Sequence, residues 1–279
     1  MQQARVVLVV GASSGIGAAC AVRLRARGDR VFAASRRATD EGLVMDVDSD
    51  HSVDAAVAAV LSRVGRVDAV IYCAGHALAG PVEATSSAEV QSQLETNVVG
   101  LWRVCGAVLP TMRAQRRGHI IVIGSLAGRI GLPFQAAYCA SKFAVRGFAE
   151  ALRAEVSPYG IHVSVVEPGN LRTPFTAARR IASAARHGFY GARFRTALDR
   201  IELEEREGGS AESVAAIVER MLDDRNPPLR RSAGPVLERL TVLASRLLPR
   251  RVVDWAIVRR YGGRDGDRVG RSSRHGGEG

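Results

Sequence analysis

The first apolar run of the chain and the glycines that follow it constrain the fold most strongly. Five consecutive valine and leucine residues, Val6–Val10, lead directly into Gly11, and two more glycines follow, Gly15 and Gly17. A run without polar residues is typical of a parallel strand that is buried on both faces. The alanine-rich residues 18–27 then predict a helix. A strand, a glycine loop and a helix in this order predict a dinucleotide site with its pyrophosphate at the helix N-terminus.

Strand-like and helical patterns alternate along the rest of the chain. Further apolar runs that predict strands lie at residues 30–35, 43–47, 67–73, 118–124, 161–166 and 229–233. Stretches that predict helices lie at residues 50–64, 85–115, 137–158 and 211–222. This alternation is typical of an α/β protein, a doubly wound parallel sheet (Rossmann fold) with helices on both faces. The link between the second and third strands has no room for a crossover helix, so we expect a loop there.

The length of 279 residues favours one large domain. We expect a single Rossmann-type domain over residues 1–261. It would include a mainly helical segment at about 170–207 and a helical C-terminal extension at about 235–261. Residues 262–279 are rich in Gly, Arg and Ser, and we expect them to be a disordered tail.

The net charge of +11 raises the question of an anionic partner. Residues 220–279 hold 14 arginines against 7 acidic residues, so most of the surplus lies there. No helix-turn-helix, zinc-finger or aromatic RNA-binding pattern accompanies it, and we expect no nucleic-acid binding.

The four cysteines, Cys20, Cys73, Cys105 and Cys139, lie in apolar segments without metal-ligand spacing. We therefore expect buried thiols, no metal site, and a cytoplasmic location without a signal peptide.

A serine at a strand end and a Tyr–Lys pair on a helix predict a site for proton transfer. Ser125 follows the apolar run at residues 118–124, and Tyr138 and Lys142 open the next helical stretch. Positions i and i+4 share a helix face, so the phenol and the ammonium can reach one small site. A nearby cation favours the charged form of a phenol, so we expect Lys142 to lower the pKa of Tyr138. Ser125 would donate a hydrogen bond to a reacting carbonyl or alcohol oxygen.

The use of lysine singles out the same position. Of 39 basic residues in the sequence, 38 are arginine, and the one lysine is Lys142. A compact ammonium with three donors is therefore present where this chain otherwise uses a planar guanidinium. This favours a specific role for Lys142 over chance survival on a solvated helix face.

Asn97 lies in the middle of the predicted helix at residues 85–115. Asn is a poor helix-interior residue because its amide competes for backbone groups. Two interpretations stay open: Asn97 holds a water beside Lys142, or it is a surface residue at a kink.

The carboxyl ends of the predicted strands carry candidate cofactor-binding residues. Arg36 follows the second strand, where an acidic residue would accept hydrogen bonds from the ribose 2′-hydroxyl of NAD. An arginine suits the 2′-phosphate of NADP, and Ser13 could add a donor, so we favour NADP(H) over NAD(H). A solvated pair of surface arginines would give the same pattern.

Asp46 and Val47 end the third strand, where they would touch the adenine. Later strand ends bring Ala74, Gly75, Ser125 and Gly169 to the same edge.

These residues together resemble the short-chain dehydrogenase/reductase family over residues 5–173. The resemblance rests on Gly11-x3-Gly15-x-Gly17, Asp46, Ala74-Gly75, Asn97, Ser125, Tyr138-x3-Lys142 and Pro168-Gly169 with Thr173. It implies hydride exchange with a nicotinamide and a catalytic set of Asn97, Ser125, Tyr138 and Lys142. The implied cofactor contacts are Gly11, Ser13, Ser14, Gly15, Ile16, Gly17, Arg36, Asp46, Val47, Ala74, Gly75, Asn97, Tyr138, Lys142, Pro168, Gly169, Leu171 and Thr173. The implied substrate contacts are Ser125, Tyr138 and Phe134.

The residues around Tyr138 and Asn97 look closest to the 17-beta-hydroxysteroid and retinol dehydrogenase branch. Members of that branch carry a basic residue at the position of Arg36 and use NADP(H) or act on bulky lipophilic ketones and alcohols. The resemblance therefore implies an NADP(H)-dependent oxidoreductase that interconverts a ketone and a secondary alcohol, with Tyr138 as the acid/base. Two departures leave the local cofactor geometry open: Val10 stands where the family usually has Thr, and Tyr72-Cys73 where it usually has an Asn pair.

The resemblance also implies that the segment after Thr173 covers the substrate. Its aromatic residues, with Leu132, Phe134 and His76, predict a roomy apolar pocket for a small lipophilic carbonyl or alcohol substrate. We expect a homodimer or homotetramer. Alternatives are a non-catalytic dinucleotide-sensing regulator on the same fold, an NAD-dependent, retinol-like alcohol dehydrogenase, and a sugar-nucleotide epimerase or dehydratase. The four catalytic groups argue against the first, and the apolar pocket argues against the last.

Two apolar and arginine-rich helices are predicted at residues 236–248 and 251–261, on either side of Pro249. We favour a lid or a subunit contact as their role. Basic amphipathic helices with a Trp, here Trp255, also suit an anionic membrane surface, which would make the protein peripheral to a membrane. Docking of an acidic carrier protein through residues 235–279 is the third interpretation.

Overall fold

A seven-stranded parallel sheet lies at the centre of the computed structural model, which describes residues 4–37, 42–185, 189–245 and 247–261. Its strands are β1 (Val6–Val10), β2 (Arg30–Ser35), β3 (Leu43–Val44), β4 (Ala69–Tyr72), β5 (Gly118–Ile123), β6 (Ile161–Pro168) and β7 (Arg230–Ala233). Their spatial order is β3-β2-β1-β4-β5-β6-β7. The order reverses between β1 and β4, and ligands of such sheets bind beyond the carboxyl ends of the strands at this point.

β1 is buried on both faces, as its sequence predicts. Val6, Leu8 and Val10 pack into one hydrophobic core, and Val7 and Val9 pack into the other. Alternate side chains of a strand point to opposite faces, so this one strand joins the two cores. Burial of each such side chain contributes roughly 1.5–3 kcal/mol, so a polar residue in β1 would be costly.

Helices cover both faces of the sheet, which confirms the predicted doubly wound α/β fold. They are α1 (Gly15–Ala26), α2 (Asp50–Val64), α3 (Ser87–Leu94), α4 (Gly100–Gln115), α5 (Ala136–Val156), α6 (Gly191–Arg206), α7 (Ala211–Asp223), α8 (Val236–Ala244) and α9 (Arg250–Tyr261). α1 and α7 pack on one face, and α2, α4 and α5 pack on the other. The C-terminal helices α8 and α9 lie close to their predicted positions.

The predicted long helix at residues 85–115 is interrupted at its centre. A π-helical segment, Glu95–Val99, separates α3 from α4. Single π-helical turns inside helices recur at functional sites because they displace a side chain from the regular ladder. Asn97 lies in this segment and is only 1% exposed, so the interpretation as a surface residue is wrong.

The segment that was predicted to be helical after Thr173 is helical only in α6. Residues 174–185 instead form turns and a two-residue strand, Arg180–Ile181, which pairs with Leu78–Ala79. The backbone N–H groups of this strand region bond to carbonyls near β4, so tertiary pairing outweighs the helix propensity of the alanines.

Two strands are shorter than predicted. β3, an edge strand that pairs with β2, ends at Val44, and β4 begins at Ala69. Most of the predicted loop before β3 (residues 38–41) and the predicted tail (262–279) lie outside the described residues. Within the described ranges, no helix has the length and apolar character to cross a membrane.

Candidate active site

The carboxyl ends of β1, β2, β4, β5 and β6 open into one cavity of about 1090 Å³. All the predicted cofactor contacts line it except Asp46 and Asn97, and Ser125 lines it as well. The cavity continues past Tyr138 toward α6, α8 and α9. One continuous space is therefore shared by the glycine loop and the Ser–Tyr–Lys group.

The glycine loop between β1 and α1 has a shape that fits a pyrophosphate. Gly11 has a φ of +82°, and a Cβ there would lie 2.6 Å from the Ala74 nitrogen. A Cβ on Gly17 would lie 2.2 Å from the Gly11 oxygen, so side chains are excluded at both positions. Ser14, the N-cap of α1, makes no side-chain capping bond, and the first turn has no acidic residue. The N–H groups and the positive end of the α1 dipole therefore suit a diphosphate.

Arg36 and Arg37 lie exposed at the cavity wall directly after β2. Ser35 Oγ donates a hydrogen bond to the Arg37 oxygen at 2.7 Å, which shapes this turn. Ser13 of the glycine loop lines the same end of the cavity. Two guanidinium groups and a hydroxyl at this edge are a suitable environment for an anionic group on an adenosine ribose.

Asp46 does not line the cavity, and its adenine contact stays a prediction. Its Oδ1 accepts a hydrogen bond from the Asp48 N–H at 3.2 Å, and its own N–H donates to Ser52 Oγ at 2.9 Å. A short carboxylate that bonds two residues ahead stabilises its own turn, here the entry to α2. Val47, which was predicted, and Met45, which was not, line the cavity at this strand end.

Tyr138 and Ser125 meet at the cavity. Ser125 follows β5, and its Oγ accepts a hydrogen bond from the Ala127 N–H at 3.1 Å. Tyr138 lies in the first turn of α5, and its ring is 6.0 Å from that of Phe175. Burial raises the pKa of Tyr138 to about 12, although its hydrogen bond with Ser125 acts to lower it. The phenol is therefore protonated at neutral pH and can donate a proton into the cavity.

Lys142 is buried one helical turn after Tyr138. Its Nζ donates a hydrogen bond to the Ile123 oxygen at 3.0 Å and lies 5.8 Å from the centre of the Tyr138 ring. Burial lowers the pKa of Lys142 to about 8, with a smaller opposing effect of Cys73. The expectation that Lys142 lowers the pKa of Tyr138 is wrong for this arrangement, because desolvation dominates the pKa of both groups.

Asn97 connects the loop after β4 to α5. Its Oδ1 accepts from the His76 N–H at 3.0 Å, and its Nδ2 donates to the His76 oxygen at 3.1 Å and to Ser141 Oγ at 3.0 Å. Both amide protons are thus used within the protein. The side chain therefore braces the backbone beside the cavity, and a role in holding a water stays a prediction.

The cavity beyond Tyr138 has largely apolar walls. Leu132, Phe175 and Ile201 line it from the catalytic side and from α6. Apolar side chains of α8, α9 and their connection also line the cavity: Val242, Ala244, Leu248, Val252, Val253, Trp255, Ala256 and Ile257. The C-terminal helices therefore line part of the cavity, and their role as a lid stays a prediction. Subunit, membrane and carrier-protein contacts of their outer faces stay predictions.

Phe134 does not line the cavity, and its substrate contact stays a prediction. It has a φ of +61°, which is uncommon for an aromatic residue. Its ring packs at 5.5 Å from the ring of Phe194 in α6 and at 6.2 Å from that of Tyr190. The side chain thus supports α6 from the side of the catalytic helix.

Sequence reasoning missed a carboxylate that joins α6 to α9. Glu204 accepts hydrogen bonds from Arg200 (2.6 Å), Arg260 (3.0 Å), Tyr261 (3.1 Å) and Asn170 (3.3 Å). The i,i+4 spacing of Arg200 and Glu204 was visible in the sequence, but three of the four donors are distant along the chain. This network fastens the C-terminal helix over the cavity.

The described ranges contain no cluster of three or more His, Cys, Asp or Glu side chains that could hold a metal ion. The four cysteines are free thiols; Cys73 is half-buried, and the other three are buried.

Comparisons with known proteins agree with this geometry. The family model described as short chain dehydrogenase matches residues 5–183. The 3-ketodihydrosphingosine reductase of Bacteroides thetaiotaomicron is 38% identical over 261 residues, covering 91% of this chain and 97% of that protein. Human 17-beta-hydroxysteroid dehydrogenase type 1 is 39% identical over 191 residues, covering 61% of this chain and 58% of that protein. The latter similarity supports the branch that the sequence suggests.

A solved structure gives the same result for the fold. The crystal structure of a short-chain dehydrogenase from Streptomyces avermitilis superposes with a TM-score of 0.79 and 31% sequence identity. The match covers 92% of this chain and 98% of that one. The glycine loop fits the nicotinamide dinucleotide that this family uses. The chain is thus a member of the short-chain dehydrogenase family of oxidoreductases.

Proposed function

We propose that this chain reduces a ketone on a bulky apolar substrate to a secondary alcohol with NADPH. The observation that supports this most is the position of the protonated Tyr138 phenol. It lies near Ser125, which acts to lower its pKa, and close to Lys142, where the glycine-loop part of the cavity meets the apolar part. A proton donor between a cofactor site and an apolar pocket is what carbonyl reduction requires.

A bound nicotinamide supplies the hydride in this chemistry. Tyr138 transfers its phenolic proton to the substrate oxygen, and Ser125 donates a hydrogen bond to the same oxygen as negative charge develops on it. The phenolate then regains a proton from solvent, so each ketone consumes one hydride and one proton. Because the pKa of Tyr138 lies well below that of an aliphatic alcohol, proton transfer to the developing alkoxide is favourable. This supports reduction as the direction.

The other two predicted residues act around this step. Lys142 would contact the nicotinamide ribose, since its ammonium lies buried at the end of β5 beside the phenol. Asn97 would fix the position of the loop after β4 beside the cofactor. The Asn97 amide lies directly against this loop, because a Cβ on Gly75 would lie 2.9 Å from Asn97 Oδ1.

The relatives and the cavity together favour a long-chain ketone as the substrate. The relative named 3-ketodihydrosphingosine reductase covers nearly the whole chain, whereas the steroid dehydrogenase covers 61% of it. The apolar wall that α8 and α9 add lengthens the cavity beyond the Tyr138 region.

The test is the rate of NADPH oxidation with a long-chain 3-ketone, a steroid 17-ketone and a sugar nucleotide. We expect kcat/KM to be highest for the long-chain ketone and negligible for the sugar nucleotide. Binding of NADPH without turnover of any ketone would instead indicate the dinucleotide-sensing alternative.

Replacing Arg36 with Ala is expected to change the cofactor preference. A charge-assisted hydrogen bond to a phosphate is worth roughly 1.5–3 kcal/mol, so kcat/KM for NADPH should fall about 10- to 100-fold. The value for NADH should change less than about 3-fold, because the 2′-phosphate is the one group that differs. Arg30→Ala at the opposite end of β2 is the matched control. Equal losses with both cofactors would contradict NADP(H) recognition by Arg36.

A further inference from the structure

Arg179 and Glu205 form a buried ion pair that is not needed for the proton transfer. Arg179 lies in the segment that covers the cavity, and Glu205 lies one turn after Ile201 on α6. Their side chains are 3% and 12% exposed, and Arg179 Nη2 donates to Glu205 Oε1. Glu205 lines the cavity, whereas Arg179 lies behind it.

This pair is incompletely satisfied by the protein. Arg179 Nε and Nη1 and Glu205 Oε2 are buried and have no hydrogen-bond partner in the part of the chain that the structure describes. The neighbouring Glu204 differs from Glu205, because its carboxylate accepts hydrogen bonds from four donors. A buried carboxylate oxygen without a donor is costly, and a ligand that supplies the donor recovers that cost.

The pair lies within electrostatic reach of the reacting group. The Glu205 carboxylate acts to raise the pKa of the Tyr138 phenol, and the Arg179 guanidinium acts to lower it. Phe175, whose ring lies 6.0 Å from that of Tyr138, precedes Arg179 by four residues. The Glu205 carboxylate therefore lies on the Tyr138 side of the cavity, where a substrate carbonyl would accept the proton.

A carboxylate accepts hydrogen bonds only, so its ligand must be a donor, and a cationic donor binds best. A metal ion does not suit the position, because the adjacent guanidinium is itself a cation that occupies the other oxygen. Rotation about the last side-chain bond of Glu, which is soft, can turn Oε2 toward the cavity.

We propose that Glu205, oriented by Arg179, binds a primary ammonium group that stands next to the reacting carbonyl, so that the preferred substrates are long-chain 2-amino ketones. This rests on the proposed function and narrows its substrate class. Arg179 is a positioning residue here, since its Nη2 donates to Glu205 Oε1 and fixes the orientation of the carboxylate. Steroid ketones, which carry no such cation, lack the group that this site recognises.

The test compares three substrates that share one alkyl chain. They are the 2-amino-1-hydroxy-3-ketone (3-ketodihydrosphingosine), its N-acetyl derivative, and the analogue without the nitrogen. With NADPH, wild-type kcat/KM should be about 10- to 100-fold higher for the free amine than for either of the others. This comparison uses the unmodified protein, so it holds even where a variant folds poorly.

Glu205→Gln keeps an acceptor for Arg179 and removes the charge. We expect this variant to bring the ratio of kcat/KM between the amine and the nitrogen-free ketone below about 3. Glu202→Gln, the same change at an acidic residue of α6 that does not line the cavity, should keep the wild-type ratio. Calorimetry of the corresponding 2-amino alcohol with NADP⁺ bound should show the same loss of affinity in Glu205→Gln.

Three results would overturn the inference. A wild-type enzyme that reduces all three ketones equally would leave the proposed function intact and remove the ammonium site. A Glu205→Gln variant that loses activity on all substrates in the same proportion would indicate a purely structural pair. Absence of turnover with all three ketones would reject the proposed function, and the substrate class would fall with it.

Discussion

Tyr138→Phe is expected to lower kcat for ketone reduction by at least about 1000-fold while NADPH binding stays within about 3-fold of the wild-type value. The change removes one oxygen atom and keeps the ring that packs on Phe175. General acid catalysis contributes roughly 10²–10⁴-fold, and the phenol, which is protonated at neutral pH, is the proton donor of the proposed reduction. NADPH fluorescence titration measures binding, and NADPH oxidation measures turnover.

The control for this variant is Tyr261→Phe, which removes the hydroxyl of another buried tyrosine at the far wall of the cavity. That hydroxyl donates to Glu204, so the variant should lose some thermal stability and retain most of its turnover. If Tyr138→Phe keeps more than a few per cent of the wild-type kcat, the assignment of Tyr138 as the acid is wrong.

Lys142→Arg is expected to lower kcat/KM by about 100-fold or more, although both side chains are cations. The Lys142 side chain is 8% exposed, and its Nζ fits a single carbonyl, that of Ile123. A guanidinium is larger, planar and less able to point all its donors at one small site. A displacement of about 1 Å at a reacting group can cost 10²-fold in rate. Steady-state kinetics and NADPH affinity should both deteriorate.

Arg146→Lys, one turn further along α5, is the reciprocal control. Arg146 forms an i,i+4 ion pair with Glu150, whose side chain is 44% exposed. Such surface pairs contribute roughly 0–1 kcal/mol, so this exchange should leave kinetics and thermal stability close to the wild type. Lys142→Arg with more than about a third of the wild-type activity would show that charge alone matters at position 142.

Local patterns were sufficient to predict the sheet. Val6–Val10 carries no polar residue, and the structure buries both of its faces. The role of Gly11 and Gly17 in a tight loop was also predictable. A Cβ at either position would lie 2.2–2.6 Å from a backbone atom, so only glycine fits there. Such constraints act over a few residues, so they are visible in the sequence.

Side-chain orientation at the site could not be predicted in the same way. Asp46 sits at the expected strand end, but its carboxylate bonds to its own loop. Phe134 sits before the catalytic helix, but its ring packs on α6, which begins more than fifty residues later. In both cases the competing partner was as plausible from the sequence as the cavity was.

The sequence alone determined the order of strands and helices, the glycine loop, and the residue types of the Ser–Tyr–Lys group. Only the tertiary structure decided the electrostatics, because desolvation depends on how many layers of protein cover a group. Burial in the folded protein raises the pKa of Tyr138, whereas the spacing of Tyr138 and Lys142 in the sequence had suggested a lowered pKa. The tertiary structure also decided that α9 lines the cavity, since Glu204 accepts hydrogen bonds from three separate segments of the chain, one of which is α9.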